Sequence, residues 1–193
     1  LRSGVSMLSA RETEADADPN DLGAARRKAR RITAKMPTLL AAFERLRNGA
    51  EPVQPREDLG HAANFLYMLD DEEPSDVAVE TFDMALTLHA DHGLNASTFT
   101  AMVIASTLAD VYSSVTGGIG ALSGPLHGGA NQDVMEMLVE VDESEKGPVE
   151  WAAAAVENDR RIPGWGHRVY NVMDPRARIL KEKSRELGEA TGD

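Results

Sequence analysis

The chain has no cysteine in 193 residues. That excludes disulfide staples, thiolate zinc sites and cysteine nucleophiles, and the compartment expected from it is the cytoplasm. No apolar run approaches the ~18 residues that a membrane-spanning helix needs. The N-terminus lacks the basic-then-apolar pattern of a signal peptide. Lysine is scarce, at 5 of the 20 basic residues against 15 arginines, while Asp and Glu number 32 and the net charge is −12. So acidic a chain is a poor candidate for binding nucleic acid, where phosphates call for a basic face. An acidic, lysine-poor surface stays soluble where salt screens self-repulsion, and a salt-adapted source is expected; the base composition of the source genome is the alternative origin of the arginine bias.

Several signatures of chemistry are also missing. No segment alternates apolar and polar residues long enough to make a strand. Gly118, Gly120 and Gly124 have the wrong spacing for a dinucleotide fingerprint, and no strand precedes them. No lysine follows a glycine loop as it does in a phosphate-binding loop, and the Gly-x-Ser-x-Gly elbow is absent.

Helical signals run throughout. Asn20 or Asp21 can cap a helix through Ala24–Ala29, and Pro37 is expected to break or kink it. A second run, Thr38 to Arg47, stops at Asn48-Gly49. Pro52 and Pro55 mark an extended connection. The pattern predicts a helix from Arg56 to Leu69 that buries Leu59, Ala62, Ala63, Leu66 and Leu69. An acidic loop follows at Asp70–Pro74, then a helix over Val77–Leu88 capped by Ser75. Asn95 can cap another from Ser97 to Tyr112, apolar on most faces and so expected to be central. A glycine-rich connection is read at Gly117–Gly120, and the shift to glycine across 117–129 marks the expected domain boundary. Further helices are expected over Asn131–Val141, over Pro148–Asn158, and after Asp174-Pro175, an N-cap followed by proline in the first turn.

One stretch stands apart, Ser123-Gly124-Pro125-Leu126-His127-Gly128-Gly129-Ala130-Asn131. Its imidazole sits between a Gly-Pro turn and two glycines, where backbone and ligand can approach closely. The helix start behind it is expected to supply unpaired N–H groups and positive potential beside the ring. That setting suits a neutral histidine aimed at a substrate. His167 follows Gly164-Trp165-Gly166 and lies nine residues before Arg176. An arginine at a helix start makes most sense beside an anion. His92 lies just ahead of Asn95. His61 and His89 fall within amphipathic helices and read as structural. His89 and His92 with Asp91 offer a metal too few well-spaced ligands, so no metal site is expected.

These motifs, in this order and spacing, resemble the citrate synthase family in its shorter bacterial and archaeal form. The resemblance rests on Asn64–Leu69, Asp91-His92 with Asn95–Phe99, Gly124–Asn131, and Gly166-His167-Arg168-Val169-Tyr170 with Asp174-Pro175-Arg176. Leu1–Ser6 resembles a segment well inside the family's large domain. The chain lacks an initiator Met and closes just after a helical segment, so it is expected to be part of a longer protein, incomplete at both ends.

The resemblance implies an all-α, multi-helical fold of two domains, with residues 1–128 in the large domain and 129–193 in the small, CoA-side domain. It implies a homodimer that opens the tricarboxylic acid cycle. Acetyl-CoA, oxaloacetate and water would give citrate and CoA, with no cofactor. His127 would hydrogen-bond the thioester oxygen as the enol or enolate forms. His167 would polarise the oxaloacetate carbonyl, and His92 and Arg176 would bind oxaloacetate. Gly93 departs from the family pattern, which has Glu there. The family's general base is an aspartate whose counterpart lies past Asp193, so the 193 residues alone are expected to be inactive. A 2-methylcitrate synthase acting on propionyl-CoA shares these motifs. A non-catalytic helical module is the alternative of another class.

Overall fold

The computed structural model describes residues 1–11, 18–91, 93–166 and 171–192. Among them there is no strand. The described residues form nine α-helices in succession: α1 (Arg2–Leu8), α2 (Leu22–Arg47), α3 (His61–Asp70), α4 (Asp76–His89), α5 (Ala96–Ala105), α6 (Val111–Leu122), α7 (Gly129–Glu143), α8 (Pro148–Glu157) and α9 (Pro175–Thr191). A short 3₁₀ turn, Ser9–Arg11, extends α1. No helix is long and apolar enough to cross a membrane.

The caps follow the sequence closely. Asp21 accepts from the backbone N–H groups of Gly23 and Ala24 at the start of α2, which holds its carboxyl below the usual carboxylate range. Ser75, Asn95 and Asp174 cap α4, α5 and α9 in the same way. Asn48 ends α2, and Gly49 behind it adopts φ 75°.

Pro37 does not break its helix. Helix α2 runs unbroken over 26 residues with Pro37 inside it and buried. Proline forfeits one backbone bond. Here Ile32, Pro37 and Ala41 all face inward, and that burial outweighs the lost bond. Ile32 joins Val5 and Tyr112 in the main core cluster, with Met36, Leu39, Val115 and Ile119 packed around it. Helices α1, α2 and α6 meet there.

The helix expected from Arg56 starts later, at His61. Asn64 holds Arg56–Gly60 as a turn instead: its Oδ1 accepts from Arg56 N at 2.8 Å, and its Nδ2 donates to Arg56 O at 2.7 Å and Leu59 O at 2.9 Å. On α3, Ala62, Ala63 and Met68 are buried, whereas Leu66 and Leu69, and Leu59 in the turn before the helix, are half-buried. Phe65 stacks on Phe82 of α4, with ring centroids 5.0 Å apart. Helix α9 packs along the same α4, and Lys183 reaches Glu80 across that seam.

The single helix expected over Ser97–Tyr112 is two. Helix α5 ends at Ala105, Leu108 turns left-handed at φ 62°, and Asp110 starts α6 by accepting from Ser113 N at 3.0 Å. Nor is α5 central: none of its residues is fully buried, and Phe99, Met102 and Val103 are exposed. The glycines at 117, 118 and 120 lie inside α6 rather than in a connection, on a helix that packs closely along α5.

The chain exposes 13930 Å² for a mass of 20.8 kDa. A folded monomer of that mass would expose roughly 9,000 Å².

Candidate active site

His127 lies in the turn between α6 and α7. Four backbone bonds fold that turn: His127 N to Gly124 O at 3.0 Å, Gly128 N to Leu122 O at 2.9 Å, Gly129 N to Gly124 O at 3.1 Å and Ala130 N to His127 O at 3.2 Å. A Cβ on residue 128 would overlap the Leu122 carbonyl oxygen, so only glycine lets the chain close here. The same bonds correct one expectation. The N–H groups of residues 128–130 are taken by carbonyls and are not open donors beside the ring. Helix α7 also begins two residues earlier than expected, at Gly129.

The imidazole is held from the neighbouring helix. Ser97 Oγ lies 2.6 Å from His127 Nε2 in a partly buried contact. Ser97 stands in the first turn of α5, two residues past its cap Asn95. A hydroxyl can donate or accept, and a neutral imidazole offers one nitrogen of each kind. When Ser97 donates to Nε2, the proton of the neutral ring sits on Nδ1 and is free to point at a ligand. Sequence reasoning missed this role for Ser97. By sequence Ser97 is a helix start and a member of the Asn95–Phe99 motif and no more, because a contact 30 positions away leaves no local signal.

Arg176 opens α9. Its backbone N donates to Asp174 Oδ1 at 2.9 Å, and its Nη2 pairs with Asp174 Oδ2 at 2.6 Å. Asp174 is thus both the expected helix cap and an anchor that orients the guanidinium. Gly164, Trp165, Gly166, Val172, Met173 and Asp174 line a cleft of about 680 Å³ beside that helix start. His92 and His167 lie outside the described residues. Next to His92, Gly93 adopts φ 60°, and its N–H donates to Asp91 Oδ1 at 2.8 Å. A left-handed residue there favours glycine over the glutamate of the family pattern.

The remaining polar clusters read as structural. His89 Nδ1 lies 2.6 Å from Ala85 O within its own helix. Arg160 pairs through both guanidinium nitrogens with Glu140, at 2.6 and 2.5 Å, and lies 5.0 Å over the Trp151 ring. Trp151 Nε1 donates to the same carboxylate at 3.3 Å. This set joins α7 to α8.

Residues 1–193 match the family described as citrate synthase, C-terminal domain. A citrate synthase from Haloferax volcanii is 60% identical over 194 residues, covering 100% of this chain and 51% of that protein. A 2-methylcitrate synthase from Mycobacterium tuberculosis is more distant, at 42% over 188 residues, 97% of this chain and 47% of that protein. Among solved structures, the ternary complex of citrate synthase from Thermoplasma acidophilum with carboxymethyl coenzyme A and oxaloacetate superposes with a TM-score of 0.83 at 29% identity. It covers 98% of this chain and 49% of that one. The chain spans about half the length of the relatives it matches. On both sequence and fold, the chain belongs to the citrate synthase family.

Proposed function

We propose that these residues supply part of the active site of a citrate synthase, which condenses acetyl-CoA and oxaloacetate with water to give citrate and CoA. The observation that carries this reading is the His127–Ser97 pair at 2.6 Å, set in a chain of this family. In the proposed reaction a base removes a methyl proton from acetyl-CoA, and negative charge grows on the thioester oxygen. His127 Nδ1–H donates to that oxygen. A fixed donor aimed at developing charge stabilises the transition state more than the ground state. Ser97 keeps the ring in the donating tautomer. The enol carbon then attacks the oxaloacetate carbonyl, which His167 polarises, and water cleaves the citryl thioester.

His92 and Arg176 would hold oxaloacetate. Arg176 suits a carboxylate because its planar fork is already oriented by Asp174. The chemistry is proton transfer, carbon–carbon bond formation and hydrolysis, with no net redox change, so no cofactor is required. The base falls to an aspartate outside the 193 residues, as in the family pattern.

We also infer a second copy of the chain as partner. Phe99, Met102 and Val103 on α5 form an exposed apolar face of the kind a partner covers. The division into residues 1–128 and 129–193 is proposed to fall at the His127 turn. The pairing of α7 with α8 supports it, whereas the packing of α9 on α4 crosses it. A cytoplasmic setting is in keeping with the absence of cysteine.

The test is product formation. A full-length enzyme containing this segment is expected to make citrate, with a higher kcat/KM for acetyl-CoA than for propionyl-CoA. The 193 residues alone are expected to show none. A preference for propionyl-CoA would make it a 2-methylcitrate synthase, and turnover by the 193 residues alone would overturn the division of labour.

A further inference from the structure

Helix α6 carries His127 at its end, and it also touches the residue that holds His127. A Cβ built on Gly118 of α6 would stand 3.3 Å from the backbone oxygen of Ser97, 3.7 Å from Ala101 Cβ and 3.9 Å from the Ser97 carbonyl carbon. Gly118 is buried in this contact. The two helices therefore meet backbone to backbone at Ser97. On the other side of that residue, Ser97 Oγ lies 2.6 Å from His127 Nε2. The turn that bears His127 is tied to the end of the same helix by the bond from Gly128 N to Leu122 O. The contacts close into a triangle: α6 fixes His127 through its C-terminal turn, and it fixes the height of Ser97 through Gly118.

We infer that Gly118 is a positioning residue for the reaction, setting how closely α5 approaches α6 and so whether the Ser97 hydroxyl reaches the His127 ring. The inference rests on the role proposed above for His127. It concerns geometry of a few tenths of an ångström. A contact of 3.3 Å to a backbone atom is tighter than an ordinary Cβ contact, so one neighbour must yield. The Ser97 carbonyl belongs to the first turn of α5 and cannot rotate away as a side chain can. A shift of that size changes both the length and the angle of the 2.6 Å contact between Ser97 Oγ and His127 Nε2, and a hydrogen bond weakens steeply as its angle closes.

Gly117 supplies the control. A Cβ there would overlap only Ile104 Cδ1, the far end of a flexible side chain, with Thr100 Cγ2 at 3.8 Å. Both glycines lie on α6 and face α5. Substitution at 117 loads the same helix pair without pressing on Ser97.

The experiment uses the full-length enzyme and the variants Gly118→Ala, Gly118→Val, Gly117→Ala, Ser97→Ala and the double variant Gly118→Ala/Ser97→Ala. The readouts are kcat, KM for acetyl-CoA, and melting temperature. Gly118→Ala is expected to lower kcat about threefold to fivefold with KM for acetyl-CoA changed less than twofold, and Gly118→Val to lower it to about the level of Ser97→Ala. Gly117→Ala is expected to stay within about twofold of the parent. The double variant is expected to be no slower than Ser97→Ala, because two changes acting through one contact are not additive. Additive losses, or equal losses at 117 and 118, would overturn the inference and leave the role of His127 standing. If Ser97→Ala and His127→Ala both keep the parental kcat, the proposed role of the site fails instead.

Discussion

Ser97 Oγ and His127 Nε2 lie 2.6 Å apart, although 30 residues separate them in the chain. The contact joins the first turn of α5 to the turn that follows α6. It ties the ring's second nitrogen to a hydroxyl and leaves the first for a ligand. Ser97→Ala removes the partner and lets the ring rotate or change tautomer. The expected result is a loss of about tenfold in kcat, in keeping with a hydrogen bond of about 1–1.5 kcal/mol. KM for oxaloacetate is expected to stay within about twofold. Ser97→Thr keeps the hydroxyl and should restore most of the rate. Steady-state kinetics on the three forms check this, and equal losses for Ala and Thr would point to packing alone.

A second prediction concerns acid stability of the α7–α8 pair. The hydrogen bonds from Arg160, then that from Trp151, hold the Glu140 carboxyl below its ordinary value of 4.5. A depressed folded-state pKa means stabilisation that is present above the unfolded value and lost as pH falls through the folded one. Glu140→Gln keeps an acceptor for Trp151 and removes the charge. The parent is therefore expected to melt at a higher temperature than Glu140→Gln at pH 7, with the gap narrowing below about pH 4.5. A gap that stays constant down to pH 3 would contradict the pairing.

The third prediction is salt dependence. With a net charge of −12 and 32 acids on 193 residues, self-repulsion opposes the folded and associated states at low ionic strength. The Debye length falls from about 10 Å at 0.1 M to about 3 Å at 1 M, so added KCl screens that repulsion. Melting temperature is expected to rise steadily with KCl. Greatest stability at low salt would contradict a salt-adapted surface.

Local signals carried well from sequence to structure. Asp21, Ser75, Asn95 and Asp174 cap their helices because a short polar side chain bonds backbone N–H groups two or three residues on. The exceptions have non-local causes. Pro37 stays helical because its face is buried against other helices, which residue type alone does not reveal. Gly117 and Gly118 read as a loop by composition, but they serve a close helix–helix approach. The break at 106–110 is not legible by apolar spacing, because Ile104, Leu108 and Val111 continue the helical period across it, and Leu108 takes its left-handed turn without a glycine. His127 and Arg176 were found from their settings, one glycine-bracketed and one at a helix start. Ser97 was not, since its importance comes from what folding brings beside it.

The measurement that tests the central claim most directly is the kcat of His127→Ala in the full-length enzyme at saturating acetyl-CoA and oxaloacetate. Losing one preorganised donor to a developing oxyanion costs about 10²–10³ in rate. The account predicts a loss of that size in kcat, with oxaloacetate affinity near that of the parent, because the contact strengthens only as the enolate forms. An unchanged kcat would contradict it.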